Sequence, residues 1–249
     1  MIIIGLSGSI ASGKTTFASF LDEQFSPAMH WESWLLIAEV GNALRQTRHS
    51  HPLPDDTAAI NNWLEPLPVL LKQIVHKNVA FKDIKLTSRR LAESPEYYVK
   101  LQEYLALMQA KPALQSGAIT EDNKEQLRSL LQWLGGYLVN VVDVGIWYDE
   151  IIRRIQRSAT LDGATIGGVR FPGDASRIKD AGGYILTMRR PGKSAQDTQD
   201  LTERERELIS PDAIIINDGS LDQLQRCAVQ VVEDLRANAL AQTYQATTF

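Results

Sequence analysis

The 249-residue sequence has a single cysteine, Cys227. That excludes an intrachain disulfide, and because Cys227 falls on the apolar side of an expected helix it reads as a small core residue rather than a reactive thiol. Histidine is scarce as well. His30, His49, His51 and His76 form no H-E-x-x-H pattern and no Cys/His cluster, and His49-Ser-His51-Pro52 reads as a solvated loop rather than a metal-ligand pair. No run approaches the roughly 18 unbroken apolar residues of a membrane span, so no contact with a membrane is expected. Positive charge is not in excess either: a net charge of −4 provides no overall basic field for nucleic acid, although local basic clusters remain. The apolar N-terminus lacks the basic n-region of a signal peptide and reads as a strand, so a cytoplasmic location is expected. The length suffices for a sizeable core, as one large α/β domain or as a core with an inserted subdomain.

What the sequence does have is concentrated at its start. Met1 to Leu6 is a β-branched apolar run of the kind buried on both faces of a parallel sheet. Gly8-Ser9-Ile10-Ala11-Ser12-Gly13-Lys14-Thr15 then matches G-x-x-x-x-G-K-[ST] at every fixed position. Such a loop needs glycine where backbone N–H groups turn inward and approach phosphate oxygens. Lys14 supplies a point positive charge for the outer phosphates, the Thr15 hydroxyl is the candidate Mg²⁺ ligand, and a helix opening near Gly13 turns its positive end to the same anion. Gly8, Ser9, Ala11, Ser12, Gly13, Lys14, Thr15 and Thr16 are therefore the expected nucleotide-binding set, with ATP and Mg²⁺ as cofactors.

Thr15 to Gln24 reads as the first helix and Ala28 to His30 as a short second strand, followed by a helical pattern from Leu35 to Leu44. In small P-loop kinases the end of the second strand faces the acceptor. Glu32 is thus a candidate for the acceptor's proton or a substrate hydroxyl, with Trp34 beside it; a carboxylate in the first turn of a helix is the alternative. From Asp56 to about Ser158 the pattern is helical, near Thr57 to His76, Pro95 to Gln109, Glu121 to Leu138 and Ile146 to Ile155. That is too much helix for a plain crossover and predicts an inserted region closing over the substrate, with Trp133 and Trp147 as aromatic anchors. The core pattern returns with the strand Ala164 to Val169, then Arg170-Phe171-Pro172 opening a helix over Ala175 to Ala181, then a strand from Tyr184 to Met188. The polar stretch Lys193 to Glu207 reads as a flap, with Arg204 and Arg206 able to reach phosphates. A last strand, Ala213 to Ile216, leads through Asn217-Asp218-Gly219 to a helix capped by Ser220, with Leu221, Leu224, Ala228, Val231, Val232 and Leu235 in one stripe. The tail from Ala241 shows no pattern.

Leu130-Leu-Gln-Trp-Leu-Gly135, Ile146-Trp147, Val169-Arg-Phe-Pro172, Ala181-Gly-Gly183, Arg190-Pro191 and Asn217-Asp-Gly-Ser220, in this order and spacing, resemble the phage-type deoxynucleoside monophosphate kinases. These pieces leave about His49 to Lys124 uncovered. The resemblance implies a three-layer α/β/α P-loop kinase fold spanning 1–249, with a parallel-sheet core at 1–30 and 160–240, a helical acceptor-binding insertion at about 31–159 and a flap at about 190–209. It implies ATP with Mg²⁺ as donor and a nucleoside 5′-monophosphate, in first place a deoxynucleotide, as acceptor, bound between core and insertion. Arg170 would lie near the transferring phosphoryl group, with Lys14, Glu32 and Arg204 as the other catalytic candidates, and Asn217 and Asp218 would approach the adenine. The chain departs from the family where Gly168 replaces an Asp, and where Gly135-Gly136-Tyr137 with Asn140 replace Gly-Thr-Glu and a nearby Arg. Tyr137 and Asn140 are accordingly expected to line the acceptor pocket. Two other readings stay open: a kinase of a hydroxyl acceptor, similar to dephospho-coenzyme A kinase or a nucleoside kinase, and a nucleotide-binding regulatory protein without turnover. An Asn-Lys-x-Asp base motif is absent, which argues against a GTPase; a small-molecule nucleotide is the expected partner, and a homodimer is left open.

Overall fold

The computed structural model describes residues 1–48, 71, 73–74, 95–111, 114, 117–141, 143–192 and 205–249. The expected helix from Thr57 to His76 falls largely outside the described residues, as do the His49-Ser-His51-Pro52 loop and the flap from Lys193 through Arg204. The chain divides into two units, Met1–Ser33 with Ile151–Phe249, and Trp34–Glu150.

The first unit is built on a six-stranded sheet in the order β2-β3-β1-β4-β5-β6, with every neighbouring pair parallel. Its strands are β1 (Ile2–Gly8), β2 (Ala28–Glu32), β3 (Gly163–Gly167), β4 (Tyr184–Arg189), β5 (Ala213–Ile216) and β6 (Thr243–Gln245). β1 is central and buried from Ile3 to Gly8, as its β-branched run requires. Between and around the strands lie α1 (Lys14–Asp22), α2 (Ser33–Arg48), α3 (Pro95–Ala110), α4 (Arg128–Val141), α5 (Ile146–Arg157), α6 (Pro172–Asp180) and α7 (Leu221–Arg236). Ile4 and Leu6 pack in one apolar cluster with Phe17 and Leu21 of α1 and with Leu224, Cys227, Ala228, Val231, Val232 and Leu235 of α7. A β-carbon at Gly5 would point to the opposite face, where it would meet Ile178 of α6 and Ile185. Alternation along β1 therefore places α1 and α7 on one side of the sheet and α6 on the other, the three-layer α/β/α arrangement of a P-loop kinase.

Several boundaries differ from the sequence reading for identifiable reasons. β1 continues through Ser7 and Gly8 because both still pair with β4, opposite Thr187 and Met188. β2, expected to end at His30, continues to Glu32, opposite Gly167, and the helix expected from Leu35 starts two residues earlier, at Ser33. The strand expected to reach Val169 ends at Gly167, where Gly168 takes a φ of 72°. Leu221, expected in the apolar stripe of α7, is 61% exposed; it is the first residue of the helix, and Cys227 fills the stripe instead. Burial, with the charge of Asp218 adding to it, pushes the Cys227 thiol up to about 12. The helix starts as expected: Ser220 Oγ accepts from Gln223 N–H while the Gln223 side chain accepts from Ser220 N–H, a capping box. β6 had no sequence signal. Three residues are too few to show a period, and the strand is held by Tyr244, a buried ring whose hydroxyl donates to Asp234 at 2.7 Å and accepts from Ala241 N–H at 2.9 Å.

The second unit, among its described residues, is helical: α2 from Trp34, α3, α4 and α5 up to Glu150. α2 and α4 approach closely through glycine, with Gly41 against Ile119, Leu130 and Leu134, and Gly135 against Ile37. Trp133 is fully buried and stacks on Tyr137 with ring centroids 5.9 Å apart. Trp147 is 5% exposed and donates its indole N–H to the Gly135 carbonyl at 3.0 Å, so both tryptophans are anchors with much apolar area to bury.

Candidate active site

Parallel strands bring their carboxyl ends to one edge of the sheet, and ligands of open α/β sheets bind there. On this edge the first unit sets the loop after Gly8 of β1, Glu32 at the end of β2, Arg170 beyond β3 and Asn217 after β5. Val169 N–H donates to the Leu6 carbonyl at 3.1 Å, which fixes the residue before Arg170 next to the strand that carries the loop. The Arg170 side chain is exposed.

The loop itself is shaped by two glycines. Gly8 has a φ of +137°, and a β-carbon there would stand 2.4 Å from the Met188 carbonyl oxygen; Gly13 has a φ of +97°, and a β-carbon would stand 2.4 Å from Asn217 Nδ2. Both positions lie where an L side chain is strained, and a β-carbon would meet a backbone carbonyl at position 8 and the end of a side chain at position 13. Ala11 also has a positive φ, of 60°. Gly13 serves as the N-cap of α1 with no side-chain cap, and the first turn of α1 contains no acidic residue. The positive end of the helix is therefore not offset by a carboxylate of its own first turn. Lys14 Nζ donates to the Gly8 carbonyl at 2.8 Å, the Ser9 carbonyl at 2.6 Å and Ser12 Oγ at 3.4 Å. These neutral oxygens hold the ammonium over the loop without cancelling its charge. Ser12 is buried, whereas Ala11, Thr15 and Thr16 are exposed. The arrangement sets the positive end of α1 and the Lys14 ammonium at one loop, which suits an anion of phosphate size.

Asn217 supports this loop, and Asp218 next to it faces the C-terminal segment. The Asn217 amide donates to the Ser12 carbonyl at 3.0 Å, and its backbone N–H donates to the Arg189 carbonyl at 2.7 Å. Asp218 accepts from Thr247 N–H at 3.0 Å and from Thr247 Oγ1 at 3.1 Å, which ties the C-terminal segment to the loop after β5. Of the other candidates, Trp34 stands in the first turn of α2 with the Lys124 ammonium 4.6 Å from its ring centroid. Tyr137 is 2% exposed in the core of the second unit, and burial raises its hydroxyl above the usual value. Asn140 lies within α4, its side chain outside what is described, and Arg204 lies outside the described residues.

Sequence reading overlooked a polar group beneath Glu32. His30 and Glu32 are two apart on β2 and so share a face, and Thr165 of β3 stands opposite His30. His30 Nδ1 lies 2.7 Å from Thr165 Oγ1, the Thr165 hydroxyl donates to Asp22 Oδ1 at 2.7 Å, and His30 Nε2 lies 3.8 Å from Glu32 Oε1. The Glu32 carboxylate raises His30 above its usual 6.5, against burial, and Asp22 adds to the rise. Burial raises Asp22 above 3.8, against the Thr165 hydrogen bond and the attraction of His30. The signal available in the sequence was the His-x-Glu alternation at a strand end, but nothing local pointed to Thr165 or Asp22. Because both folded values are raised, the folded state binds more protons than the unfolded one over each window. Stability contributed by His30 is fully present below pH 6.5 and is lost as pH rises through its raised folded value, and that from Asp22 is lost in the same direction above 3.8. Urea unfolding across pH 6 to 9 should show the first loss, and His30→Gln should remove it.

Comparison with known proteins adds three findings. The family profile described as Deoxynucleotide monophosphate kinase matches residues 70–227, more than half of the chain, and so extends into the stretch before Lys124 that the quoted sequence pieces left uncovered. A protein of Acanthamoeba polyphaga mimivirus, provisionally named a deoxynucleotide monophosphate kinase, is 21% identical over 241 residues, covering 94% of this chain and 97% of its own. Among solved structures, shikimate kinase from Aquifex aeolicus covers 96% of this chain and 99% of its own at 12% identity and a TM-score of 0.37, a likeness too slight to carry an argument.

Proposed function

Since the chain belongs to the deoxynucleotide monophosphate kinase family and is therefore a kinase, we propose that it transfers the γ-phosphoryl group of ATP to a deoxynucleoside 5′-monophosphate and forms the diphosphate. The observation that carries this reading is the glycine-shaped loop at the end of β1. The positive-φ backbone at Gly8 and Gly13, the N-terminus of α1 with no acidic residue in its first turn and the Lys14 ammonium together suit a polyphosphate. Gly8 to Thr16 would hold the donor phosphates, and the exposed Thr15 hydroxyl would serve as the protein ligand of Mg²⁺. When bound, Mg²⁺ supplies positive charge across the phosphate oxygens.

The chain's own contribution is charge and alignment. Phosphoryl transfer asks for donor and acceptor in line and for neutralisation of the transferring group. Lys14 reaches the outer phosphates by exchanging its carbonyl partners for phosphate oxygens, and Arg170, leaving the sheet beside β1, is the second cation. Arg204 is proposed as a third. An acceptor phosphate is already an oxyanion and needs no strong base, so Glu32 orients a hydrogen-bond donor of the acceptor rather than removing a proton. Trp34 and Asn140 are proposed to contact the acceptor, and Tyr137 to shape its pocket through packing. Asn217, which braces the loop, and Asp218 beside it would also border the adenine.

Incubation of γ-labelled ATP and Mg²⁺ with the common ribo- and deoxyribonucleoside monophosphates tests the reading directly. Label should appear in a deoxynucleoside diphosphate, with turnover on the deoxy form at least about tenfold above the ribo form, the selectivity that a hydroxyl-sized difference in a pocket supports. Transfer to no monophosphate, with labelling of a nucleoside or a coenzyme precursor instead, would move the assignment to a hydroxyl acceptor and give Glu32 the role of base.

A further inference from the structure

β6 runs parallel to β5, with Thr243 opposite Ile214 and Gln245 opposite Ile216, so Ala246 to Phe249 emerge at the same carboxyl edge as the loop Asn217 to Gly219. There the two segments are locked together. Thr247 N–H donates to Asp218 Oδ1 at 3.0 Å and the Thr247 hydroxyl donates to Asp218 Oδ2 at 3.1 Å, so one residue engages both carboxylate oxygens. Gln223, in the first turn of α7, donates its side-chain amide to the Thr247 carbonyl at 3.3 Å, and Arg226 Nε donates to the Phe249 main-chain oxygen at 2.5 Å. Main chain also meets main chain: a β-carbon at Gly219 would stand 3.1 Å from Ala246 C and from Thr247 N. Tyr244 and Ala246 are buried in the apolar cluster that includes α7, and Phe249 packs against it. The other end of the loop reaches the glycine-shaped loop after β1, where the Asn217 amide donates to the Ser12 carbonyl at 3.0 Å. The Ser12–Gly13 peptide is trans, so holding its carbonyl toward Asn217 turns the Gly13 N–H the opposite way. That N–H belongs to the N-cap of α1, one of the groups whose direction decides how an anion is held there.

We propose that Thr247 is a positioning residue for the donor nucleotide: by holding Asp218 it fixes the loop Asn217 to Gly219, which sets the Ser12–Gly13 peptide and borders the donor base. The inference rests on the reading of the loop after β1 as the ATP site. Its contacts run from β6 through Asp218 and Asn217 to Ser12, whereas β2, which carries Glu32, is the opposite edge strand of the sheet. ATP affinity thus depends on the Thr247 hydroxyl, and acceptor affinity does not.

Thr247→Val keeps the shape of the side chain and the backbone N–H bond but lacks the hydroxyl. Calorimetric titration with ATP and Mg²⁺ should show about fivefold weaker binding than in the wild type, the scale of one net hydrogen bond. Steady-state kinetics should show the same rise in the ATP KM while kcat and the acceptor KM hold. Thr247→Ser, which restores the hydroxyl, should bind ATP as the wild type does. Because Thr247 acts through Asp218, the double variant Asp218→Ala with Thr247→Val should bind ATP no more weakly than Asp218→Ala alone. A purely structural role would lower the urea midpoint of Thr247→Val and leave the ATP affinity of the folded protein unchanged, and that result overturns the proposal. So does a loss in Thr247→Ser equal to that in Thr247→Val, or fully additive losses in the double variant. The calorimetry needs no acceptor, which keeps the two failures apart: weaker ATP binding in Thr247→Val with transfer to no monophosphate upholds the proposal and sinks the acceptor reading, while a wild-type protein that binds no ATP sinks both.

Discussion

Lys14→Ala should lower phosphoryl transfer by about a thousandfold, the scale lost when a preorganised donor to developing charge is removed, with the unfolding midpoint essentially unchanged. The two halves of this expectation have different causes. In the structure Lys14 Nζ donates to the Gly8 and Ser9 carbonyls and Ser12 Oγ, all on the loop that surrounds it. Its side chain is half-buried rather than part of the apolar cluster behind α1. A point charge that tracks the outer phosphates, by contrast, acts on the transferring group itself. The measurements are kcat with saturating ATP and acceptor, and a urea melt on the same sample. Turnover at the wild-type rate in Lys14→Ala would remove the basis of the kinase mechanism argued here.

Gly8→Ala is expected to damage both fold and activity, costing about 3 kcal/mol of stability and abolishing detectable ATP binding. The added methyl would meet a backbone carbonyl, that of Met188, at 2.4 Å, and Met188 is tied into β4 directly opposite Gly8. The backbone at φ +137° is also one that alanine resists. Gly13→Ala provides the internal comparison. Its methyl would meet the end of a side chain, Asn217 Nδ2, which can turn away at the loss of one hydrogen bond to Ser12. Gly13→Ala should therefore be the milder of the two in a urea melt, and equal or reversed losses would show that the Met188 carbonyl is not the rigid wall described here.

How much of this was legible in the chain depends on whether the physical cause was local. The β-branched run, the fixed spacing from Gly8 to Thr15, Pro172 at a helix start and Ser220 three residues before Gln223 are all local causes, because backbone strain, capping and burial act within a few residues. They gave the order of strands and helices and the place of the loop. Even there the ends moved, since β1 and β2 stop where their neighbours stop pairing rather than where their own composition changes. β6 depends on a Tyr244 hydroxyl meeting Asp234 ten residues away, and three residues hold no period to detect.

The sequence by itself determined the loop that fits phosphate, the charge that sits on it and the helix that presents its positive end, because those depend on residue type and spacing alone. Only the tertiary structure decided what surrounds them. Asn217 reaches the loop across 205 residues of chain, and Asp22 reaches Thr165 across 143; each pairing exists because parallel strands bring distant segments into register. The setting of His30 belongs to this second kind. Its neighbour Glu32 was visible two residues on, but Thr165 comes from another strand and Asp22 from a helix packed against that strand. No local pattern encodes such a meeting of distant side chains.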